Sequence, residues 1–229
     1  MTVLGFDTST NATSAAVLRS DGESFASDPD PSALLGRPGH AAELMPAVKQ
    51  VMDAAGTGWD EIDAIAVGVG PGTFTGLRIG IATARALAHA RAIPVHAVRS
   101  LDALASGLDD SRPRLALIDA RRGELFAALR TANGATDWEP FVDEPEAIAE
   151  RIRKHFEAQE LPQAAGDGSI RFREVLEAAG ADIPPDDSPL HLVRALHICR
   201  LAGGIPPSRP ETVLPLYLRE PDAKPQIPQ

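Results

Sequence analysis

The sequence predicts an α/β protein in which mixed β-sheets are flanked by helices, and three observations carry that prediction. Two apolar runs, 3–6 and 14–18, lie on either side of the turn-prone stretch DTSTNAT and read as an antiparallel hairpin. Residues 64–69 are apolar almost throughout, as in a strand covered on both faces, and lead directly into GVGPGTFTGLRIG and a long helix. Strand and helix patterns then begin again beyond GLDDSRPR. The 229 residues suffice for one large domain or two small lobes, and length alone does not choose.

Along the chain, Asp21-Gly22 supplies a tight turn after the hairpin, glycine taking positive φ without steric cost. Residues 25–39, rich in Asp, Pro and Ser, read as irregular surface. Residues 40–55 have helical spacing, with Leu44, Ala47, Val48 and Val51 on one side. The helix that ends near Arg91 has one apolar edge of Leu77, Ile81, Ala84 and Ala88 and a second of Ile79, Thr83 and Leu87. Gly76, Gly80 and Ala84 fall four apart and leave a strip with almost no side-chain volume. That strip packs either on the lobe's own sheet or on a second helix approaching unusually closely. Residues 94–98 are extended, and Ser100 is placed to cap the helix of Leu101, Leu104 and Ala105.

GLDDSRPR marks a boundary that divides a first lobe, 1–107, from a smaller one, 108–188. In the second, 115–118 and 125–130 are strands around DARRGE, Asn133-Gly134 is a turn, 147–156 a charged helix, AGDGS an Asp-Gly turn and 173–179 a short helix. Residues 190–201 form a late helix on which Leu192, Ala195, Leu196 and Cys199 share a stripe. The last residues, 204–229, are a terminal segment ending in a flexible, Pro-rich tail.

Composition narrows the function classes. Thirty-two acidic against 22 basic residues give a net charge of -10, which argues against a broad RNA- or lipid-binding surface. A single cysteine, Cys199, allows no intrachain disulfide and no CxxC pair, and reads as a small buried apolar residue. No basic leader precedes the first strand and no run is long enough to span a bilayer, so the expected compartment is the cytoplasm. Aromatics make up only 4% of the chain, too few for a stacking platform for single-stranded nucleic acid.

Two stretches are placed to do chemistry. The glycine-rich segment 68–80 runs from strand to turn to helix N-terminus, a geometry that presents free N–H groups to an anion. It is neither GxxxxGK[ST] nor GxGxxG, and Pro71 removes a donor, so a structural turn, an anion contact and a partner contact all remain open. Asp7, Thr8, Ser9, Thr10 and Asn11 form a polar loop at the C-terminal end of the first strand, where ligands sit in open α/β sheets. Asp7 there contacts phosphates or magnesium in a phosphotransferase, or simply closes an Asx turn. Of the six histidines none lies in HExxH; His40 and Glu43, three apart, would make an open, weak metal pair, and a surface or capping role is the plainer reading. Asp119, Arg121 and Glu124 end a strand and either line an interlobe cleft or pair in solvent.

GVGPGTFTGLRIG, together with LGFDTST, HAAELMPAV, LIDARRGELFAA, AGDGS and LPLYLR in the same order, resembles the TsaB family of tRNA threonylcarbamoyladenosine biosynthesis subunits. The resemblance implies two actin/Hsp70/sugar-kinase-like lobes, with helix 189–203 packing back on the first. It implies a scaffold and activator without catalysis, acting through a TsaD-like catalytic subunit on position 37 of ANN-decoding tRNAs. The catalytic relative carries an HxxxH metal pair; here His40 is followed by Leu44. The implied partners are TsaD-like and TsaE-like subunits, a second copy when alone, and tRNA only indirectly, with no cofactor and no membrane. The partner surface falls on helices 40–55 and 75–91, and small-residue spacing nominates His40, Leu44, Val48, Thr75, Gly76, Ile79, Gly80, Thr83 and Ala84. A small-molecule kinase or ATPase of the same fold is the main alternative, and a peptidase a third.

Overall fold

The computed structural model describes residues 1–157 and 160–219; the expected flexible tail, 220–229, lies outside them. In the first lobe β1 (Val3–Asp7), β2 (Ser14–Leu18), β3 (Ser24–Ser27), β4 (Ala64–Gly68) and β5 (Val95–Val98) form a sheet of order β3-β2-β1-β4-β5. The hairpin pairs are antiparallel and β1–β4–β5 parallel. β1 is buried along its whole length because both faces of the sheet are covered. On one face lie α1 (His40–Ala55) and α2 (Phe74–Arg91), whose Leu44, Val48, Ile81 and Ala84 pack with Leu4, Phe6, Ile65 and Val67.

The other face meets α3 (Ser100–Ala105) and the last helix. The second lobe is a sheet of β6 (Arg114–Arg121), β7 (Glu124–Arg130), β8 (Thr136–Asp143) and β9 (Gln163–Ala165), order β8-β7-β6-β9. It carries α4 (Pro145–His155), α5 (Asp167–Arg171) and α6 (Arg173–Glu177). Its outer core joins Leu115, Leu125 and Trp138 to Ile148, Ile152 and Leu176. A further apolar cluster belongs to both lobes: Val3, Ala66 and Val98 pack with Ile118, Phe126 and Ala128 through Leu101, Leu104, Ile198 and Cys199.

The last helix, α7 (Ala195–Ala202), lies on β1 and β2: Ser14 Oγ accepts from Ala195 N at 2.8 Å, and the buried Cys199 thiol faces the Val3 and Ala16 carbonyls. Gly5 makes this approach possible, since a β-carbon there would overlap Cys199 Sγ. Burial among apolar atoms pushes the thiol up to about 12, so Cys199 is inert packing.

Several expectations change. Residues 24–27, assigned in part to irregular surface, form edge strand β3, and β8 was not anticipated; both edge strands alternate weakly, and β8 contains Pro140. Ser100 does not cap α3 but is its first residue, after Arg99. The Asp-Gly pair of AGDGS opens α5 instead of a turn; Gly166, at φ +120°, makes the bend, and Asp167 complements the helix dipole. The expected helix over 190–201 is split: Pro189–His191 is a 3-10 turn, Leu192 and Arg194 are extended, and the α-helix starts at Ala195. The terminal segment over 204–219 is tied to the first lobe. Ser208 bridges to Val95, Val213 is buried in the first lobe's core, and Leu216 N donates to Val69 O at 2.7 Å.

Gly5→Ala is expected to lower stability by about 1–3 kcal/mol through overpacking, read from the urea midpoint. Cys199→Ala introduced with it should recover part of the loss, giving a non-additive double-mutant cycle because the two side chains would occupy one space.

Candidate functional site

The hairpin loop after β1 is closed to solvent. Asp7 Oδ1 accepts from Ser9 N at 2.8 Å and Ser9 Oγ at 2.7 Å, and Oδ2 accepts from Ser100 Oγ at 3.0 Å. Burial pushes the Asp7 carboxyl up, and the bonds from Ser9 and Ser100 oppose that shift. Thr8 Oγ1 donates to Gly76 O at 2.8 Å, Ser9 O accepts from Thr73 N at 2.7 Å, and Asn11 Nδ2 donates to Leu34 O and Gly36 O. Asp7, Thr8, Ser9 and Thr10 are all buried, so the carboxylate that would face a phosphate or magnesium is occupied by its own loop.

The glycines of the segment 68–80 explain the closure. A β-carbon on Gly72 would overlap Ser9, one on Gly76 the Thr8 carbonyl, and one on Gly80 the Thr8 hydroxyl. The strip of Gly76, Gly80 and Ala84 therefore faces its own sheet, and its small volume serves the approach of α2 to the β1–β2 loop. Of the nine residues nominated for a partner, His40, Leu44, Val48, Gly76, Gly80 and Ala84 are buried inside the lobe; Thr75 is exposed, and Ile79 and Thr83 are half-buried. What the helices show outward is Met45, 44% exposed, and Phe74, 51% exposed. Tyr217, 41% exposed, stacks on Phe74 at 5.7 Å, with the Arg78 guanidinium 3.7 Å from the centre of the Phe74 ring. Neither Met45 nor Phe74 breaks a pattern that sequence periodicity could detect.

His40 is a correction as well: it is neither on the surface nor a cap but 3% exposed. Its Nδ1 lies 2.8 Å from Thr13 Oγ1, and the Thr13 hydroxyl donates to Glu43 Oε2 at 2.8 Å. Its Nε2 has no partner among the described residues.

Between the lobes is a cleft of about 1100 Å³, with the first turns of α1 and α2 on one wall and the β6–β7 hairpin on the other. Asp119, buried at the end of β6, accepts from Arg121 N, Arg121 Nη1 and Arg171 Nη1. Arg121 Nη2 crosses to Asn11 Oδ1 at 2.8 Å, tying the two lobes. Arg121 and Arg122 hold φ of 64° and 57°, left-handed conformations that cost a non-glycine residue about 1–2 kcal/mol each. The sequence proposed a cleft or solvent for Asp119, Arg121 and Glu124; Asp119 and Arg121 line the cleft, and Glu124 pairs with Arg219.

Behind Asp119, Asp167 Oδ1 accepts from Asp119 N at 2.9 Å, and burial raises the Asp167 carboxyl to about 6. A second pair, unforeseen in the sequence, is Ser169 and His191, 3.3 Å apart. It is not a hydrolytic dyad. Both residues are buried, Ser169 Oγ donates to Gly166 O at 2.8 Å, and His191 Nδ1 already accepts from Gly166 N at 3.1 Å. Among the described residues no group of three His, Cys, Asp or Glu side chains could hold a metal ion, and no helix is long and apolar enough to cross a membrane.

These features define a two-lobed α/β protein of the actin/Hsp70/sugar-kinase type, with its first hairpin loop sealed. A family model described as "TsaD: tRNA N6-adenosine threonylcarbamoyltransferase" matches residues 36–178. An uncharacterised protein of Mycobacterium tuberculosis is 33% identical over 98% of this chain and 94% of its own length. The tRNA threonylcarbamoyladenosine biosynthesis protein TsaB of Escherichia coli is 37% identical over 67% of each chain. A Pseudomonas aeruginosa structure, described as an uncharacterised protein with similarity to peptidase YeaZ, superimposes with a TM-score of 0.79 at 30% identity, covering 95% of this chain and 99% of the other. The chain belongs to the TsaB/YeaZ family.

Asp167 yields a pH prediction. Between about pH 4 and 6 the folded protein retains a proton that the unfolded chain has released, so this group's contribution to stability falls as pH rises through that window and is flat above it. From pH 4 to pH 7, Asp167→Asn should gain on the parent by on the order of 1–3 kcal/mol, measured by urea unfolding at both values.

Proposed function

We propose that this chain is a non-catalytic partner subunit in tRNA threonylcarbamoyladenosine formation, acting as scaffold and activator of a TsaD-like catalytic subunit. The observation that carries the reading is the sealed hairpin loop: Asp7 is buried and accepts three hydrogen bonds from Ser9 and Ser100, so its carboxylate serves the loop's own structure. The same two helices present Met45, Phe74 and Thr75 outward, with Ile79 and Thr83 at the edge of the face. An activator of this kind works by binding the competent state of its partner better than the alternatives. The net charge of -10 fits contact with tRNA through partners, a TsaE-like ATPase among them, and the exposed helix face serves a second copy of the chain when the catalytic subunit is absent.

The test is modification of an unmodified ANN-decoding tRNA transcript by purified catalytic and ATPase partners, with and without this chain. Product is expected only with it. Met45→Arg, on the exposed face of α1 and outside the core cluster, should reduce product and co-elution with the catalytic subunit at least about tenfold while the melting temperature stays near that of the parent. Equal product without the chain would sink the reading, and ATP turnover by the chain alone would return it to the kinase alternative. Gly80 is the wrong position for this test, because a side chain there overlaps Thr8 and disturbs the lobe itself.

A further inference from the structure

We propose that residues 216–219 are a mechanical link between the outward face of α2 and the turn that joins β6 to β7. Covering the stacked rings of Phe74 and Tyr217 then holds that turn in place through Arg219. That the catalytic subunit is what covers the stack rests on the reading above; the link itself lies within this one chain.

The turn needs holding. Arg121, Arg122 and Gly123 follow one another at φ of 64°, 57° and 83°. Two successive left-handed residues with side chains persist only where their surroundings fix them. Arg121 N donates to Asp119 Oδ1 at 2.8 Å, and the Arg121 side chain is held by Asn11 of the first lobe. Arg219 grips the turn from both ends. Its Nη1 donates to Ala120 O at 3.1 Å, immediately before the turn, and its guanidinium pairs with Glu124, immediately after. One planar, rigid group that contacts both stems fixes their separation, which a flexible ammonium would not do.

Arg219 is in turn positioned by the residues ahead of it. Val213 is buried in the first lobe's core, Leu216 N is bonded to Val69 O at 2.7 Å, and Leu218 packs on the apolar cluster shared by both lobes. Between these anchors Tyr217 turns outward. Its ring stacks on Phe74, and its hydroxyl accepts from Arg78 Nε at 3.3 Å. Four consecutive residues thus touch the backbone beside the glycine turn, the exposed helix face, the interlobe core and the far lobe. Two residues of chain span at most about 7 Å, so a displacement of Tyr217 reaches Arg219 with little slack to absorb it. The stack is exposed and held by few contacts. A surface that covers it favours the seated arrangement over the loosened one, and the seated arrangement is the one in which Arg219 clamps the turn.

The test follows amide hydrogen exchange in the full chain by NMR, with no partner protein present. The Arg121 amide reports the turn and the Ile65 amide, in the middle of β4, reports the core. Tyr217→Ala should speed exchange at Arg121 about fivefold to tenfold and leave Ile65 unchanged. Arg219→Ala should speed it at least as much, and adding Tyr217→Ala to it should change nothing further, since both act through one connection. Phe74→Leu, which removes the stack while keeping apolar bulk and leaves 216–219 intact, should speed Arg121 about threefold. An Arg121 amide unmoved by Tyr217→Ala and Phe74→Leu would overturn the link. Multiplicative effects in the double variant, or equal acceleration at Arg121 and Ile65 in both Tyr217→Ala and Phe74→Leu, would overturn it as well. Because the chain is alone in the tube, loss of the link leaves the partner reading standing, and loss of that reading leaves the exchange result standing.

Discussion

The approach of α2 to the β1–β2 loop governs much of the rest of this structure. A helix backbone packs against a polar loop only where side chains are missing, and here Gly72, Gly76 and Gly80 are missing theirs directly above Ser9 and Thr8. The approach turns loop groups that would otherwise need water or ligand into internal partners: Thr8 bonds Gly76, Ser9 bonds Thr73, and Ser100 completes Asp7. It also aims the first turn of α2 into the cleft beside that of α1. One steric condition therefore closes the polar loop and sets one wall of the cleft.

The two lobes do not behave as beads on a linker. Their inner faces share a cluster of aliphatic side chains around Leu101, Leu104 and Ile198, so much of the apolar surface that would separate on opening is common core. Polar ties lie at the cleft itself, where Arg121 reaches Asn11 and Arg219 Nη1 donates to Ala120 O. Lys and Asp side chains on the periphery, such as the exposed Lys49–Asp53 pair, contribute little by comparison.

Much of the fold was legible because its signals are local. Helix 40–55 was bounded correctly by period alone, and the buried strand before the glycine turn by its continuous apolar run. The edge strands β3 and β8 were not legible, since half-exposed strands lack the burial that imposes alternation. Within the site, the sequence located the Asp7 loop, the glycine segment and the Asp119 hairpin, but not their state. Whether Asp7 is open or occupied depends on Ser100, 93 residues away, and the cleft arginine meets an asparagine 110 residues distant. His40 showed only its spacing from Glu43; that its ring turns inward to Thr13 is tertiary information. The glycine strip was ambiguous between self and partner because a missing side chain says how close a neighbour comes and nothing about whose it is.

The strap formed by residues 205–219 has a further consequence. It leaves α7, pairs with β5 at Ser208, bonds Val69 through Leu216 and ends with Arg219 on the opposite lobe. The polypeptide thus passes from lobe to lobe more often than a simple hinge requires, and each passage removes a rotational freedom that an open cleft would otherwise possess. The entropy of aligning the two walls is consequently spent when the chain folds, and whatever enters the cleft meets a frame that is already assembled.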